Sequence, residues 1–262
     1  KLNTFIWKYI YANQNYLKFY DYFLYLINTI YANSHIKYFN YQIDGKDYSS
    51  YLVKPKGNTK GIIFIIHDWN GLNKYEKSRA DMLAEEGYVG VALDLFGVNT
   101  KLEGFEDYRR ETSFLYQNRK EFRKRIKSGL IEARKILGNL KKQFIIGYCF
   151  GGAAVLETAR SGEEMTGFVS FHGGLKTPEG QDYSETSGSI LILHGSVDPV
   201  SNMDDVTNLV KELNDFEIQH EVHIYGGVRH SFTIKGSRDY SENAENKSWD
   251  ALLNYLKENS KL

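Results

Sequence analysis

Short, nearly continuous aliphatic runs recur along the chain, and they constrain its fold more than any other feature. The runs are GIIFIIH (61–67), YVGVALD (88–94), QFIIG (143–147), GFVSFHG (167–173) and SILILHG (189–195). Runs of this length without alternation of polar and apolar positions are typical of strands buried on both faces of a parallel sheet. Such a sheet needs helices against both faces, so the runs predict an α/β fold.

Amphipathic segments lie between these runs. Apolar residues recur at helical spacing within residues 126–137, 206–213 and 249–256. Before the first run, two alternating segments flank Asp44-Gly45, a pair that favours a β-hairpin turn. This order of elements predicts a doubly wound, mostly parallel sheet flanked by helices. No composition break divides residues 35–262, which we interpret as one domain.

Residues 1–34 form an aromatic-rich N-terminal extension of different character. They are dense in Tyr, Phe, Ile and Asn, and Asp21 is their one acidic residue. The stretch FLYLINTIYA (23–32) resembles the apolar part of a secretory signal, but it is interrupted by Asn28 and Thr29 and is short for a membrane span. Three interpretations stay open: helices packed on the domain, a retained export signal, or membrane association as a surface anchor.

The charge balance bears on the class of partner. Lys and Arg together number 33, as do Asp and Glu, so the formal net charge is zero. A protein that binds nucleic acid normally shows a basic excess or stripe, so we expect no nucleic-acid partner. Cys149 is the single cysteine, which excludes an internal disulfide.

The string IIGYCFGG (145–152) places that cysteine between a predicted strand and a predicted helix. A lone cysteine is often a small buried hydrophobe. Gly147 and Gly151, however, flank Cys149 in the pattern of a nucleophile elbow with Cys in place of Ser. The turn also puts Cys149 at a helix N-terminus, where the dipole favours thiolate. The spacing fits neither the dinucleotide-binding nor the P-loop pattern, so we interpret Cys149 as a nucleophile.

Asp198 and His230 complete a candidate triad. Asp198 follows a predicted strand in LHGSVDPV, where its carboxylate can orient an imidazole, and His230 lies in the loop GGVRHSF after the last predicted strand. The order nucleophile, acid, histidine is that of α/β-hydrolases. Two further histidines have expected roles: His194 as a structural hydrogen-bonding group and His172 as a pocket residue. The histidines lack HExxH or HxH spacing, so we expect neither a metal site nor a cofactor.

With these residues in place, the sequence resembles the dienelactone hydrolase family over about residues 35–258. Four stretches carry the resemblance: HDWNGLNKYEKSRADMLAEEGYVGVALDLFG, IGYCFGGAAVLETA, FHGGL, and LHGSVDPV with YGGVRHSFT. The resemblance implies an α/β-hydrolase fold for a catalytic domain of residues 35–262 and a Cys-His-Asp triad. It also implies an oxyanion hole formed by the backbone N–H groups of Phe150 and Trp69. GVRHSFT and FHGGL are most similar to a branch of the family often made with export signals, which favours an exported or periplasmic protein over a cytoplasmic one.

Two positions depart from the family pattern. Asp68 stands where dienelactone hydrolases have a glutamate that holds the resting thiol, so the resemblance makes Asp68 a candidate for positioning the thiol, with His172 as a second candidate for contact with thiol or substrate. Ile234 stands where those enzymes have an arginine for the substrate carboxylate. Candidate substitutes for that arginine are Arg119, Arg123 and Arg229.

The predicted activity is hydrolysis of small activated carboxylic esters or lactones through an acyl-thioester on Cys149. A thiolate leaves a tetrahedral intermediate more readily than an ordinary alkoxide, so enol, aryl or thioester substrates are expected and amides are not. The alternative is a binding or scaffold protein of the same fold with a vestigial triad. A thiol redox sensor is disfavoured because the chain has no resolving cysteine.

Overall fold

The computed structural model describes residues 36–138 and 140–260. The predicted N-terminal extension (1–34) lies outside the described residues. An eight-stranded sheet runs through the described part, in the spatial order β1-β2-β4-β3-β5-β6-β7-β8. Its strands are β1 (Ile36–Ile43), β2 (Lys46–Val53), β3 (Ile62–Ile66), β4 (Val89–Leu93), β5 (Gln143–Tyr148), β6 (Gly167–Phe171), β7 (Ser189–Gly195) and β8 (His220–Tyr225).

The sheet is parallel from β4 through β8, while β2 pairs with β4 in the antiparallel sense. Six helices follow the strands in the described residues: α1 (Lys74–Glu85), α2 (Phe105–Gln117), α3 (Arg119–Leu137), α4 (Phe150–Ala159), α5 (Met203–Asp215) and α6 (Glu242–Asn259). The predicted doubly wound, mostly parallel sheet is confirmed. No helix among residues 36–138 and 140–260 has the length and apolarity needed to cross a membrane.

Burial explains why the aliphatic runs form the central strands. Every residue of β3, β4, β5, β6 and β7 is buried, because helices cover both faces of the sheet. The apolar side chains divide into two clusters, one on each face of the sheet. The core is therefore continuous across the strands that carry the candidate site.

The strand order reverses next to β3. The chain passes from β3 to β4 on one side and then continues with β5 on the other side of β3. In open α/β sheets, ligands bind beyond the carboxyl ends of the strands at such a switch point. The carboxyl end of β3 leads into residues 67–69, and that of β5 leads into Cys149, so the topology brings the two predicted site segments together.

Candidate active site

Cys149 lies in a very tight turn between β5 and α4. Its φ is +53°, in the left-handed region that non-glycine residues rarely adopt. A Cβ on Gly147 would lie 2.1 Å from the carbonyl oxygen of Gly151, and a Cβ on Gly151 would lie 2.2 Å from that of Ile66. Only glycine fits at these two positions. Because glycine has no side chain, the turn can pack closely against β3.

The three predicted triad residues meet beyond the edge of the sheet. The Cys149 Sγ lies 3.0 Å from His230 Nε2, and His230 Nδ1 lies 2.7 Å from Asp198 Oδ2. The other Asp198 oxygen accepts from the backbone N–H groups of Val200 (2.8 Å) and Ser201 (3.3 Å). Although burial opposes its charge, the hydrogen bonds from His230 and Val200 hold the pKa of Asp198 below its usual value. An ionised Asp198 keeps a proton on His230 Nδ1 and leaves Nε2 able to accept one.

The resting thiol is held in its protonated form. Burial raises the pKa of Cys149 well above its ordinary value, and the charge and hydrogen bonding of Asp68 raise it further. The backbone N–H of Phe150 acts in the opposite direction but does not offset these effects. The N–H at the start of α4 therefore favours the thiolate, as expected, but burial and the neighbouring carboxylate outweigh it in the resting site.

Asp68 reaches the thiol despite its short side chain. The residue is buried, and burial raises its pKa. Its Oδ1 also accepts from the backbone N–H of Trp69 at 2.5 Å. The two predicted oxyanion donors are thus engaged in the resting site, Trp69 N–H by Asp68 and Phe150 N–H by the Cys149 sulfur.

Hydrogen bonds with His67 and Glu76 hold the loop that carries Asp68 and Trp69 in place. His67 Nδ1 donates to the carbonyl of Asp68 at 2.6 Å, and His67 Nε2 accepts from the backbone N–H of Leu95 at 3.2 Å. The Glu76 carboxylate accepts from the N–H of Asp68 (3.1 Å) and caps α1 through that of Asn73 (3.0 Å). These contacts set the direction in which the Trp69 N–H points.

His172 lies beneath the turn that carries Cys149 and does not line the cavity onto which Cys149 opens. It is fully buried, and its Nδ1 accepts from the backbone N–H of Cys149 at 3.2 Å. Its Nε2 lies 2.9 Å from Thr233 Oγ1, and its ring packs edge-on against that of His230. Burial, with the nearby His230 and His194, keeps the pKa of His172 well below its ordinary value. Its geometry therefore fits the expected role of positioning the nucleophile better than contact with substrate.

Cys149 and His230 open onto a cavity of about 340 Å³. Its walls are mainly aromatic or aliphatic, and among the described residues no Lys, Arg, Asp or Glu lines it. Tyr116 and Thr112 reach this cavity from α2, although no local motif marks either of them as a site residue. The Trp69 ring packs edge-on against the rings of Phe105 and Tyr108 in α2. These contacts anchor the loop of residues 67–69 to the α2 side of the cavity.

In the described part of the chain, no arginine of this cavity replaces the one that the family pattern has at position 234. Arg119 and Arg123 pair with the buried Glu157, and Arg229 pairs with Asp239 near the surface. His194 donates from Nε2 to the carbonyl of Ser201 at 2.8 Å, in the structural role expected for it. Among residues 36–138 and 140–260, no group of three or more His, Cys, Asp or Glu side chains is arranged to hold a metal ion.

Comparisons with known proteins agree with this architecture. The family model described as the dienelactone hydrolase family matches residues 48–260. A human protein described as a carboxymethylenebutenolidase homolog is 23% identical over 196 residues, which cover 73% of this chain and 78% of that protein. A solved dienelactone hydrolase-like promiscuous phosphotriesterase from metagenomic libraries is 27% identical with a TM-score of 0.78, covering 85% of this chain and 97% of its own.

A more distant structure shows how widely this fold is shared. An acylaminoacyl peptidase from Pyrococcus horikoshii has a TM-score of 0.67 at 15% identity, covering 88% of this chain and 43% of the peptidase. The predicted α/β-hydrolase fold is confirmed by these likenesses. Because the family model spans most of the chain, the protein belongs to the dienelactone hydrolase family, a family of hydrolases.

Proposed function

We propose that the protein hydrolyses activated carboxylic esters or lactones through Cys149, His230 and Asp198. The observation that carries the proposal is the continuous contact from the thiol through His230 to Asp198, with separations of 3.0 and 2.7 Å. These distances lie within the range that general-base activation of a nucleophile requires. The family membership supports a hydrolytic reaction at the same point.

The proposed reaction has two halves. His230 Nε2 takes the thiol proton, the Cys149 sulfur attacks the carbonyl carbon, and the carbonyl oxygen becomes an oxyanion. As the intermediate collapses, the C–O bond of the ester breaks and His230 returns its proton to the leaving oxygen, which leaves an acyl-thioester. Water then attacks the thioester, His230 takes one of its protons, and the thiol departs with that proton as the carboxylic acid forms.

The oxyanion requires a rearrangement of Asp68. Two backbone donors, Phe150 N–H and Trp69 N–H, face the site, but Asp68 occupies the second of them in the resting state. We infer that substrate displaces the Asp68 carboxylate from Trp69, which frees that donor for the oxyanion. The same displacement moves a negative charge away from the thiol and so favours its ionisation. Activation of Cys149 is thereby coupled to substrate binding.

The nucleophile and the cavity together limit the substrate. A thiolate is expelled from the tetrahedral intermediate more easily than an ordinary alkoxide, so a productive substrate needs a leaving group that competes with sulfur. Aryl esters, enol esters and lactones, and thioesters satisfy this condition, and amides do not. The uncharged walls of the Cys149 cavity also favour a neutral group next to the scissile bond.

A panel of aryl esters, enol lactones and thioesters tests the proposal on the wild type and on Cys149→Ala and Cys149→Ser. We expect hydrolysis by the wild type and loss of at least about a hundredfold in Cys149→Ala, the scale expected when a nucleophile's chemistry is removed. A phosphotriester joins the panel because one solved relative is described as a promiscuous phosphotriesterase.

Undiminished hydrolysis by Cys149→Ala would refute the mechanism. A scaffold protein with a vestigial triad would give a different result: no substrate of the panel would be turned over by the wild type.

A further inference from the structure

A second cavity of about 250 Å³ adjoins the one that contains Cys149. The two share three lining residues, Tyr116, Gly174 and Val200, so they form two lobes of one cleft. His230 and Ser231 line only the first lobe, while Ala153 and Leu175 line only the second. A substrate seated at Cys149 can therefore extend past these shared residues, away from His230.

The second lobe differs from the first in its charge. Its walls include Arg119, Arg160 and Lys176. Lys176 lies 3.8 Å from Asp205, which also lines the lobe, so these two charges offset one another. The net charge of the lobe therefore depends on Arg119, on Arg160 and on the carboxylates that neutralise them.

Three guanidinium groups share one carboxylate behind this wall. Glu157 is fully buried and contacts Arg123 at 2.6 Å, Arg119 at 3.1 Å and Arg160 at 3.3 Å. Burial opposes its charge, yet these cations hold the pKa of Glu157 below its usual value. One negative charge against three positive charges leaves an excess of two positive charges in the cluster.

Arg119 is the member of the cluster that has donors to spare. Arg160 uses its Nε on Gln181, its Nη1 on Tyr183 and its Nη2 on Glu157. Arg119 contacts Glu157 through Nη1 alone, and no other hydrogen bond from its guanidinium to a described residue is present. Its guanidinium also lies 5.1 Å from the centre of the Tyr116 ring, at the junction of the two lobes. Arg119 is thus held in place while its other N–H groups can meet a ligand.

We propose that the second lobe binds the anionic far end of an elongated acyl group, with Arg119 as the specificity-determining residue. The proposal rests on the proposed ester hydrolysis. The acyl side is assigned to this lobe because the leaving group takes its proton from His230, which lines only the first lobe. A substrate of this kind has an uncharged segment beside the scissile bond and a carboxylate, or another anion, several bonds away.

Matched p-nitrophenyl esters test this assignment directly. One set carries a free carboxylate at the far end of the acyl chain (p-nitrophenyl hydrogen succinate, adipate and suberate), and the other carries the neutral methyl ester at the same place. We expect kcat/KM to favour the acid over its methyl ester by about tenfold or more for suberate, since a charge-assisted hydrogen bond contributes about 1.5–3 kcal/mol. Succinate, whose carboxylate remains in the uncharged first lobe, is expected to show no such preference.

Two variants locate the effect. Arg119→Gln is expected to abolish the preference for the suberate acid, while Glu157 keeps its contacts with Arg123 and Arg160. The neighbouring Lys120, exposed on the same helix and outside the second lobe, provides the matched control: Lys120→Gln is expected to retain the preference.

Gly174→Val narrows the passage between the lobes, and a Cβ at Gly174 meets only Ala153 Cβ at 3.8 Å. We expect it to lower the ratio of suberate to acetate hydrolysis.

Binding without turnover separates this proposal from the proposed function. Calorimetry on Cys149→Ala should show that monomethyl suberate binds more tightly than dimethyl suberate, and that Arg119→Gln removes the difference. Equal binding of both esters, or an acid preference that persists in Arg119→Gln, would overturn the assignment even if the wild type hydrolyses every aryl ester. Absence of any Cys149-dependent hydrolysis would instead overturn the proposed function, and Arg119-dependent binding would still support the anion site.

Discussion

Asp68→Asn isolates the effect of one carboxylate on the nucleophile. Asn has nearly the shape of Asp, and its side-chain oxygen can still accept from the Trp69 N–H that Asp68 Oδ1 contacts at 2.5 Å. The substitution therefore removes the negative charge with little change of packing. Because Asp68 raises the pKa of Cys149 by its charge and by hydrogen bonding, its neutral replacement is expected to lower that pKa.

The size of the effect follows from the contact. A full charge about 4 Å away contributes up to about 4 kcal/mol at an effective dielectric constant of about 20. The Asp68 carboxylate also accepts from the Trp69 N–H, which weakens its effect on the thiol. We therefore expect Asp68→Asn to stabilise the thiolate by about 1.4–2.7 kcal/mol, which lowers the pKa of Cys149. Burial of the thiol is unchanged and keeps its pKa above the ordinary value.

The rate of alkylation by iodoacetamide, measured from about pH 6 to pH 10, reports the thiolate fraction of the single cysteine. At a pH below both pKa values, Asp68→Asn should react about 10–100 times faster than the wild type. Asp215→Asn, an exposed carboxylate beyond the site, is the matched control and should react like the wild type. An alkylation pKa that is unchanged or higher in Asp68→Asn would refute the proposed role of this carboxylate.

Three further substitutions test other parts of the site. Asp198→Asn should lower kcat about 10²–10⁴-fold, because its amide would favour the His230 tautomer that cannot accept the thiol proton; steady-state kinetics measure this. His172→Phe keeps a ring under the elbow but removes one of the two acceptors of the Cys149 N–H, the Phe171 carbonyl remaining at 3.0 Å, so kcat should fall by up to about tenfold with little change in KM. Gly151→Ala should lower the free energy of unfolding by about 1–3 kcal/mol in urea denaturation, because its Cβ would meet the Ile66 carbonyl at 2.2 Å.

Each of these three predictions has a result that would contradict it. A loss of less than about tenfold in Asp198→Asn would be below the usual range for general-base catalysis and would count against the orienting role. An unchanged kcat in His172→Phe would show that its contact with the elbow does not serve the reaction. Gly226→Ala, whose Cβ would have no atom within 4 Å, should leave stability unchanged, and equal stability of the two glycine variants would contradict the account of the turn.

The fold was predictable because its strands carry a strong local signal. Continuous aliphatic runs marked β3, β4, β5, β6 and β7, and the Asp-Gly pair marked the turn between β1 and β2, where Asp44 and Gly45 both have positive φ. The site residues follow strand ends, so a parallel sheet necessarily places them at one edge. Cys149, Asp198 and His230 could be placed together for that reason.

Features that depend on contacts between distant segments could not be predicted from the sequence. The break between α2 and α3 at Asn118 lies inside one long charged segment, and Tyr116, which lines the cavity, lies two residues before that break. Glu157 lies within a mostly apolar helix with Arg160 three residues later, but nothing near it in the sequence reveals Arg119 and Arg123, which also approach it. Burial is the largest cause of the raised pKa of Cys149, followed by Asp68, which lies more than eighty positions earlier in the sequence. Neither can be inferred from the residues next to Cys149, whereas the effect of the helix dipole can.

The central claim is that an acyl group is carried by the Cys149 sulfur. Rapid acid quenching of the wild type during turnover of p-nitrophenyl acetate, followed by mass spectrometry of the intact chain and its peptides, tests this claim most directly. The account predicts one acetyl group per chain, located on Cys149 and absent from Cys149→Ala. Turnover without an adduct on Cys149, or with an adduct on a different residue, would contradict it.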